Sequence, residues 1–136
     1  MNNYRSRISG PLLDRIDIIL EVPAVNFEDL RRRQEAESSS AIKERVNQAR
    51  DLQHKRFGTV GGMCNARMGP EELRAYCQLD EECEILMHQA FDAFGLTARS
   101  YDRILKVART IADLECCEQI TATHIAEAIQ YRTVEL

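Results

Sequence analysis

No run of apolar residues in this sequence approaches the ~20 needed for a helix to cross a bilayer. The opening ten residues are basic and polar, without the apolar stretch of a secretory signal. No C-x-x-C pair occurs among the five cysteines, Cys64, Cys77, Cys83, Cys116 and Cys117. Cys116 and Cys117 are adjacent, a poor spacing for two ligands on one ion, so no metal site is expected. An odd number of cysteines without a signal argues against a disulfide framework and for free thiols in a reducing cytoplasm. Excess positive charge is lacking too: 18 Lys and Arg stand against 22 Asp and Glu, a net charge of −4. A domain that binds nucleic acid alone is usually basic, so any DNA contact would need other parts of a larger assembly.

Catalytic motifs are equally scarce. Gly61, Gly62 and Gly69 lie in a glycine-rich stretch, but the Gly-Lys-Ser/Thr of a phosphate-cradling P-loop is absent, so residues 59–69 read as a flexible loop. His54, His88 and His124 fall on different predicted helices, without an adjacent nucleophile, and read as surface residues.

What is present is mainly helical. Ser38, Ser39 and Ser40 can cap a helix whose stripe is Ile42, Val46, Ala49 and Leu52, stopped by Gly58. Pro70 opens a short helix carrying Leu73, Tyr76 and Cys77. Asp80 caps the next, with Ile85, Leu86, Ala90, Ala93 and Phe94 towards the core and Gly95 at its end. Thr97 caps a long helix to about Glu115 with the stripe Ile104, Val107, Ala108, Ile111 and Leu114. Thr121 caps the last, which buries Ile125, Ala128 and Ile129. From Ser38 onward the pattern predicts a compact helical bundle.

The front of the chain differs. Ser9, Gly10 and Pro11 suit a helical turn, after which Ile16, Ile18, Leu20 and Val22 alternate as in a strand and Pro23 ends it. A lone strand needs a sheet, and no partner strand follows. The chain therefore reads as beginning partway through a domain. Residues 1–22 are expected to be poorly ordered or paired with a second copy. The predicted division is 1–23 for the turn and strand, 24–37 for a linker and 38–136 for the helical domain.

Two arginines carry chemical interest. Arg15 joins the turn to the strand; its planar, permanently charged fork suits phosphate oxygens, and a local pair with Asp14 or Asp17 is the equal alternative. Arg99 sits in the first turn of the Thr97 helix, where a cation faces the positive end of the helix dipole. An anion bound there would compensate; otherwise Arg99 reaches solvent or a neighbouring carboxylate. Arg103 and Lys106 follow on the same face.

The segment Tyr4-Arg5-Ser6-Arg7-Ile8-Ser9-Gly10-Pro11-Leu12-Leu13-Asp14-Arg15-Ile16-Asp17 resembles the arginine-finger segment of magnesium-chelatase-like AAA+ ATPases. The stretch from Ala98 to Leu114 is similar to that family's sensor-2 helix, and His124 to Arg132 to its closing helix. Three anchors in order cover nearly the whole chain, and the ComM/YifB group is the branch they resemble.

The resemblance implies an AAA+ helical lid domain preceded by a turn–strand remnant of the AAA+ α/β core, with the Walker segments upstream. The isolated chain would then be no enzyme and bind no cofactor. The full-length protein would be an ATP hydrolase using ATP and Mg2+. Arg15 would be a catalytic arginine finger acting in trans, Arg99 the sensor-2 arginine acting in cis or in trans, and Arg103 a further nucleotide contact. Implied partners are other copies in a ring, a hexamer, the upstream nucleotide-binding half, and DNA in the full-length protein, with no membrane. The implied function couples ATP hydrolysis to ring motions in DNA remodelling or branch migration, as in natural transformation. The alternatives are a metal-chelatase motor subunit and a non-enzymatic helical binding module. Cys116 and Cys117 occupy a turn where the family carries small residues, often a glycine.

Overall fold

The computed structural model describes residues 15–24, 36–58 and 60–132. Among the described residues five helices form: α1 (Ser39–Phe57), α2 (Pro70–Tyr76), α3 (Glu81–Phe94), α4 (Ala98–Leu114) and α5 (Ala122–Gln130), with short turns at Val60–Gly62 and Asn65–Arg67. The boundaries follow from local chemistry. Side-chain oxygens of Ser38, Asp80 and Thr97 accept the free amides of Ala41, Cys83 and Ser100. Gly95 ends α3 in the left-handed region, φ 59°.

The central element is α4. It contacts α1, α2, α5 and the Asn65–Arg67 turn, and α3 packs on α5. Ile104, Leu105, Ala108 and Ala112 on α4 meet Ile125, Ala128 and Ile129 of α5, with Cys83, Met87 and Ala90 of α3 completing the core. Among the described residues no helix is long and apolar enough to cross a membrane.

The strand expected over residues 16–22 does not form. Residues 15–24 have no ladder; Ile19 instead donates its amide to the Tyr131 carbonyl at 2.8 Å. Ile18, Leu20 and Val22 are 49, 65 and 83% exposed. Alternation implies two faces, but a strand also needs a neighbour for its backbone, and among the described residues none is extended beside it. The turn expected before Arg15, and residues 25–35 of the linker expected over 24–37, lie outside the described residues.

Two predicted stripes are shifted. On α1, Ile42 and Val46 are 42 and 43% exposed, whereas Ala49 and Gln53 are buried. The C-terminal half of α1 lies on α4, and its first ten residues are all exposed. On α3 the buried set is Cys83, Met87 and Ala90, while Ile85 and Phe94 are more than half exposed. Both sets satisfy a helical period; a small thiol and a flexible methionine fit the interior where the branched Ile85 was expected. The glycine-rich stretch is also more than a loop, because Asn65 and Met68 within it are each 2% exposed.

One polar cluster ties these parts together. The Asp113 carboxylate, fully buried, accepts two hydrogen bonds from Arg56 of α1 (Nη1 2.8 Å, Nη2 2.6 Å), one from Asn65 Nδ2 (2.7 Å) and one from Arg109 Nε (3.1 Å). Gln53 Oε1 accepts the Asn65 amide at 3.1 Å. Burial pushes the Asp113 carboxyl up. The hydrogen bonds from Arg56 and Asn65 and the charge of Arg109 outweigh this and hold it below its ordinary range. The folded chain therefore binds this proton less readily than the unfolded chain. The contribution is complete above the ordinary carboxylate value of about 4 and is lost as pH falls through the lower folded value. Asp113→Ala leaves two arginines without their carboxylate and is expected to cost about 3–5 kcal/mol. In thermal melts from pH 7 to 2, the wild type should lose this margin below about pH 4, while the variant is less stable throughout and less acid-sensitive. Parallel pH profiles would refute the assignment.

The end of α4 explains the turn that follows it. Cys116 donates its amide to the Asp113 carbonyl at 3.1 Å and Cys117 to that of Ala112 at 2.8 Å. This is a Schellman closure whose left-handed position is Cys116, at φ 56°. A Cβ in that region costs about 1–2 kcal/mol. The exposed Cys116 therefore stands where glycine fits better, and Cys116→Gly is expected to stabilise the chain by about 1 kcal/mol. Calorimetry should show melting about 4–8 °C higher; an unchanged or lower midpoint would contradict this.

Candidate functional site

Thr97 starts α4 by accepting the Ser100 amide at 3.2 Å, and this cap fixes where Arg99 and Arg103 emerge. Arg99, in the first turn, is exposed; Arg103, one turn later, is largely covered. The Arg103 guanidinium pairs with Asp17 of the 15–24 segment. Its Nε is buried without a hydrogen-bond partner among the described residues. Arg132, just after α5, donates to the Ile16 carbonyl at 2.5 Å and to Ser100 Oγ at 3.2 Å.

Arg132 thus links the neighbour of Arg15 to the neighbour of Arg99. Arg15, Arg99, Arg103 and Arg132 gather at one end of the bundle although the whole chain is acidic. Arg15 and Arg99 are exposed and make no hydrogen bond or ion pair among the described residues. Both keep their forks available to an anion, the condition for phosphate recognition. Asp17, offered by the sequence as a local partner for Arg15, is taken by Arg103. The sequence had no means of pairing Asp17 with a residue so distant in the chain.

Cys77, Cys83 and His124 are buried and serve the fold. Burial pushes the Cys77 thiol up to about 11 and the Cys83 thiol up to about 12, so neither offers a thiolate near neutral pH. His124, expected at the surface, is 2% exposed. Its Nδ1 lies 3.0 Å from the Thr121 amide, which has only a hydrogen to give, so Nδ1 accepts and Nε2 carries the proton. Nε2 lies 2.9 Å from Glu115 Oε2. The ligand atoms of Glu115, Cys117 and His124 fall within 4.8 Å of one another. A metal would need the Nε2 lone pair, which this tautomer fills with a proton. The set is therefore a helix cap and a buried-to-surface bond. A histidine three residues after a capping threonine was the available signal.

A family model described as magnesium chelatase, subunit ChlI C-terminal, matches residues 36–132. The chain belongs to the magnesium chelatase ChlI family. A second model, magnesium chelatase, subunit ChlI, matches residues 1–30. Competence protein ComM of Haemophilus influenzae is 38% identical over 132 residues, 96% of this chain and 25% of the relative. Protein YifB of Escherichia coli is 38% identical over 133 residues, 97% of this chain and 26% of its own length. A protein of Mycobacterium tuberculosis is 29% identical over 129 residues, 95% of this chain and 25% of the relative. The chain spans about a quarter of the length of these relatives. The resemblance inferred from three sequence anchors is thereby confirmed at the level of family and ComM/YifB relationship.

Proposed function

We propose that this chain is the helical lid and nucleotide-sensing end of an AAA+ ATPase subunit, and that its arginines act on ATP held by other parts of a ring. The observation that carries the reading is the exposure of Arg15 and Arg99 at one end of a stiff bundle, linked through Arg132. The Walker segments are absent from the sequence, so the phosphate cradle and the Mg2+ ligands must come from an upstream nucleotide-binding half. Bound ATP and Mg2+ supply the transferable phosphoryl group and the neutralisation of its charge.

Arg15 serves as the finger in a neighbouring subunit. Its guanidinium stabilises charge on the equatorial phosphoryl oxygens without giving up a proton. Arg99 contacts the same phosphates from the first turn of α4, where free amides also favour an anion. Because α4 is the central helix of the lid, a contact made only with the γ-phosphate changes the lid's orientation between the ATP and ADP states. Arg103 is the further nucleotide contact in this scheme, once released from Asp17. A finger acting in trans requires a closed, heterologous assembly, for which we favour a hexameric cytoplasmic ring.

The name of the Haemophilus relative, a competence protein, favours a motor that works on DNA. The acid balance of this chain leaves direct DNA contact to the rest of the subunit. The matched family description keeps a second reading, a motor subunit of a metal chelatase.

ATP turnover should be measured on the chain joined to its nucleotide-binding half, with and without branched DNA. Arg15→Ala is expected to lower turnover by about a thousandfold or more while ATP still binds. Arg99→Ala is expected to weaken nucleotide affinity. Stimulation by branched DNA supports the DNA motor and its absence the chelatase reading. Unchanged turnover and affinity in both variants would reduce the arginines to surface charges on a binding module.

A further inference from the structure

Two thiols stand side by side where α4 ends. Cys116 is exposed and Cys117 is half-buried, whereas Cys77 and Cys83 are sealed in the core. Both Cys116 and Cys117 line a cavity of about 590 Å3, whose walls include Arg56, Tyr76, Gln78 and Gln119. Its size is that of a small-molecule site. The sulfurs are held by weak contacts: Cys116 Sγ lies 3.8 Å from Gln48 Oε1 and Cys117 Sγ 3.7 Å from the Glu115 carbonyl. Cys116 also keeps the left-handed position, at φ 56°, where a Cβ is unfavourable. A strained residue at the wall of a cavity is a reason to look for chemistry there.

We propose that Cys116 and Cys117 form a thiol–disulfide exchange site whose substrate is a small polar disulfide, such as a short peptide disulfide. The site is independent of the nucleotide reading of the arginines. The exposed Cys116, as thiolate, attacks one sulfur of the small disulfide, so that a mixed disulfide forms and one thiol leaves. Cys117, as thiolate, then attacks Cys116 Sγ, forms the 116–117 disulfide and releases the second thiol. The two protein thiols give up two protons and two electrons, and the small disulfide takes up both to become two thiols. Neighbouring Cα atoms stand ~3.8 Å apart across a trans peptide, short of the roughly 4.4–6.8 Å of ordinary disulfides. The bond therefore forms only as the backbone of the turn changes. That turn is held by the Cys116 amide on the Asp113 carbonyl, the Cys117 amide on that of Ala112, and Arg109 on the Cys117 carbonyl. Oxidation thus competes with the closure of α4 and, through Arg109, reaches the Asp113 cluster. A bridge between neighbours closes almost no loop, so it returns little stability in exchange. Being strained and exposed, it is readily reduced again.

The test adds oxidised glutathione to the reduced 136-residue chain. The tryptic peptide from Thr110 to Arg132 holds Cys116 and Cys117 and no other cysteine. Mass spectrometry should find this peptide short of two hydrogens and joined to no other, and dithiothreitol should restore it. Cys117→Ser should stop at the mixed disulfide, with glutathione retained on Cys116. The oxidised wild type should melt about 4–8 °C below the reduced chain. The midpoint of Cys116→Ser, a change at an exposed position, should not shift with glutathione. A wild-type peptide that stays reduced, keeps glutathione, or is joined to Cys64 or to a second chain overturns the exchange site. Loss of two hydrogens with an unchanged or higher midpoint, or a midpoint of Cys116→Ser that falls equally, overturns the competition with the closure of α4.

Discussion

The buried carboxylate of Asp113 is the constraint on which the bundle depends. It is unexposed and ionised, which is tolerable only because Arg56, Arg109 and Asn65 all donate to it. Those donors come from α1, from the turn after it, and from α4 itself. One charge thus decides how α1 lies on α4 and turns the glycine-rich stretch into an ordered part of the core. The remaining donors of Arg109 reach the carbonyls of Cys117 and Glu118 at 2.6 and 2.8 Å, so the same cluster also fixes the chain after α4. Hydrophobic burial supplies the bulk of the stability, but it is non-directional. The polar cluster accepts only one arrangement of the parts.

The ends of α4 do different work. Its C-terminal end is locked by the Asp113 cluster, and its N-terminal end carries Arg99 and Arg103. These ends are about 20 Å apart along a continuous helix. A force applied at Arg99 meets a rod whose far end cannot rotate independently of α1 and α5. Under the function proposed above, that coupling would carry a nucleotide contact at Arg99 to the whole bundle.

Much of this was legible in the sequence. Ser38, Asp80, Thr97 and Gly95 mark helix ends because capping is local chemistry, decided within three or four residues. The α4 stripe was correct because that helix is covered on several sides and its apolar positions have nowhere else to go. The stripes of α1 and α3 were read less well. On α1 the period is right, but its first half has no neighbour among the described residues, and period says nothing about where neighbours are. On α3 two faces satisfy the period, and Cys83 and Met87 won over Ile85. Arg15, Arg99 and Arg103 stood out as unusual arginines. Asn65, Arg109, Asp113 and His124 did not, because each has the composition of a helix surface or a loop.

The sequence by itself determined the helical class, the helix boundaries, the family and the three arginines of interest, since these rest on local propensity and on motifs read in order. Tertiary structure alone decided the partners. Asp113 could have been a solvated carboxylate, and Asp17 could have paired with Arg15; instead they meet residues 57 and 86 positions away. Residues 16–22 keep the alternation of a strand, yet lie as a strap along the bundle, because a strand is defined by the backbone beside it. An ion pair or a ladder needs two groups in one place, and only the folded chain brings them there.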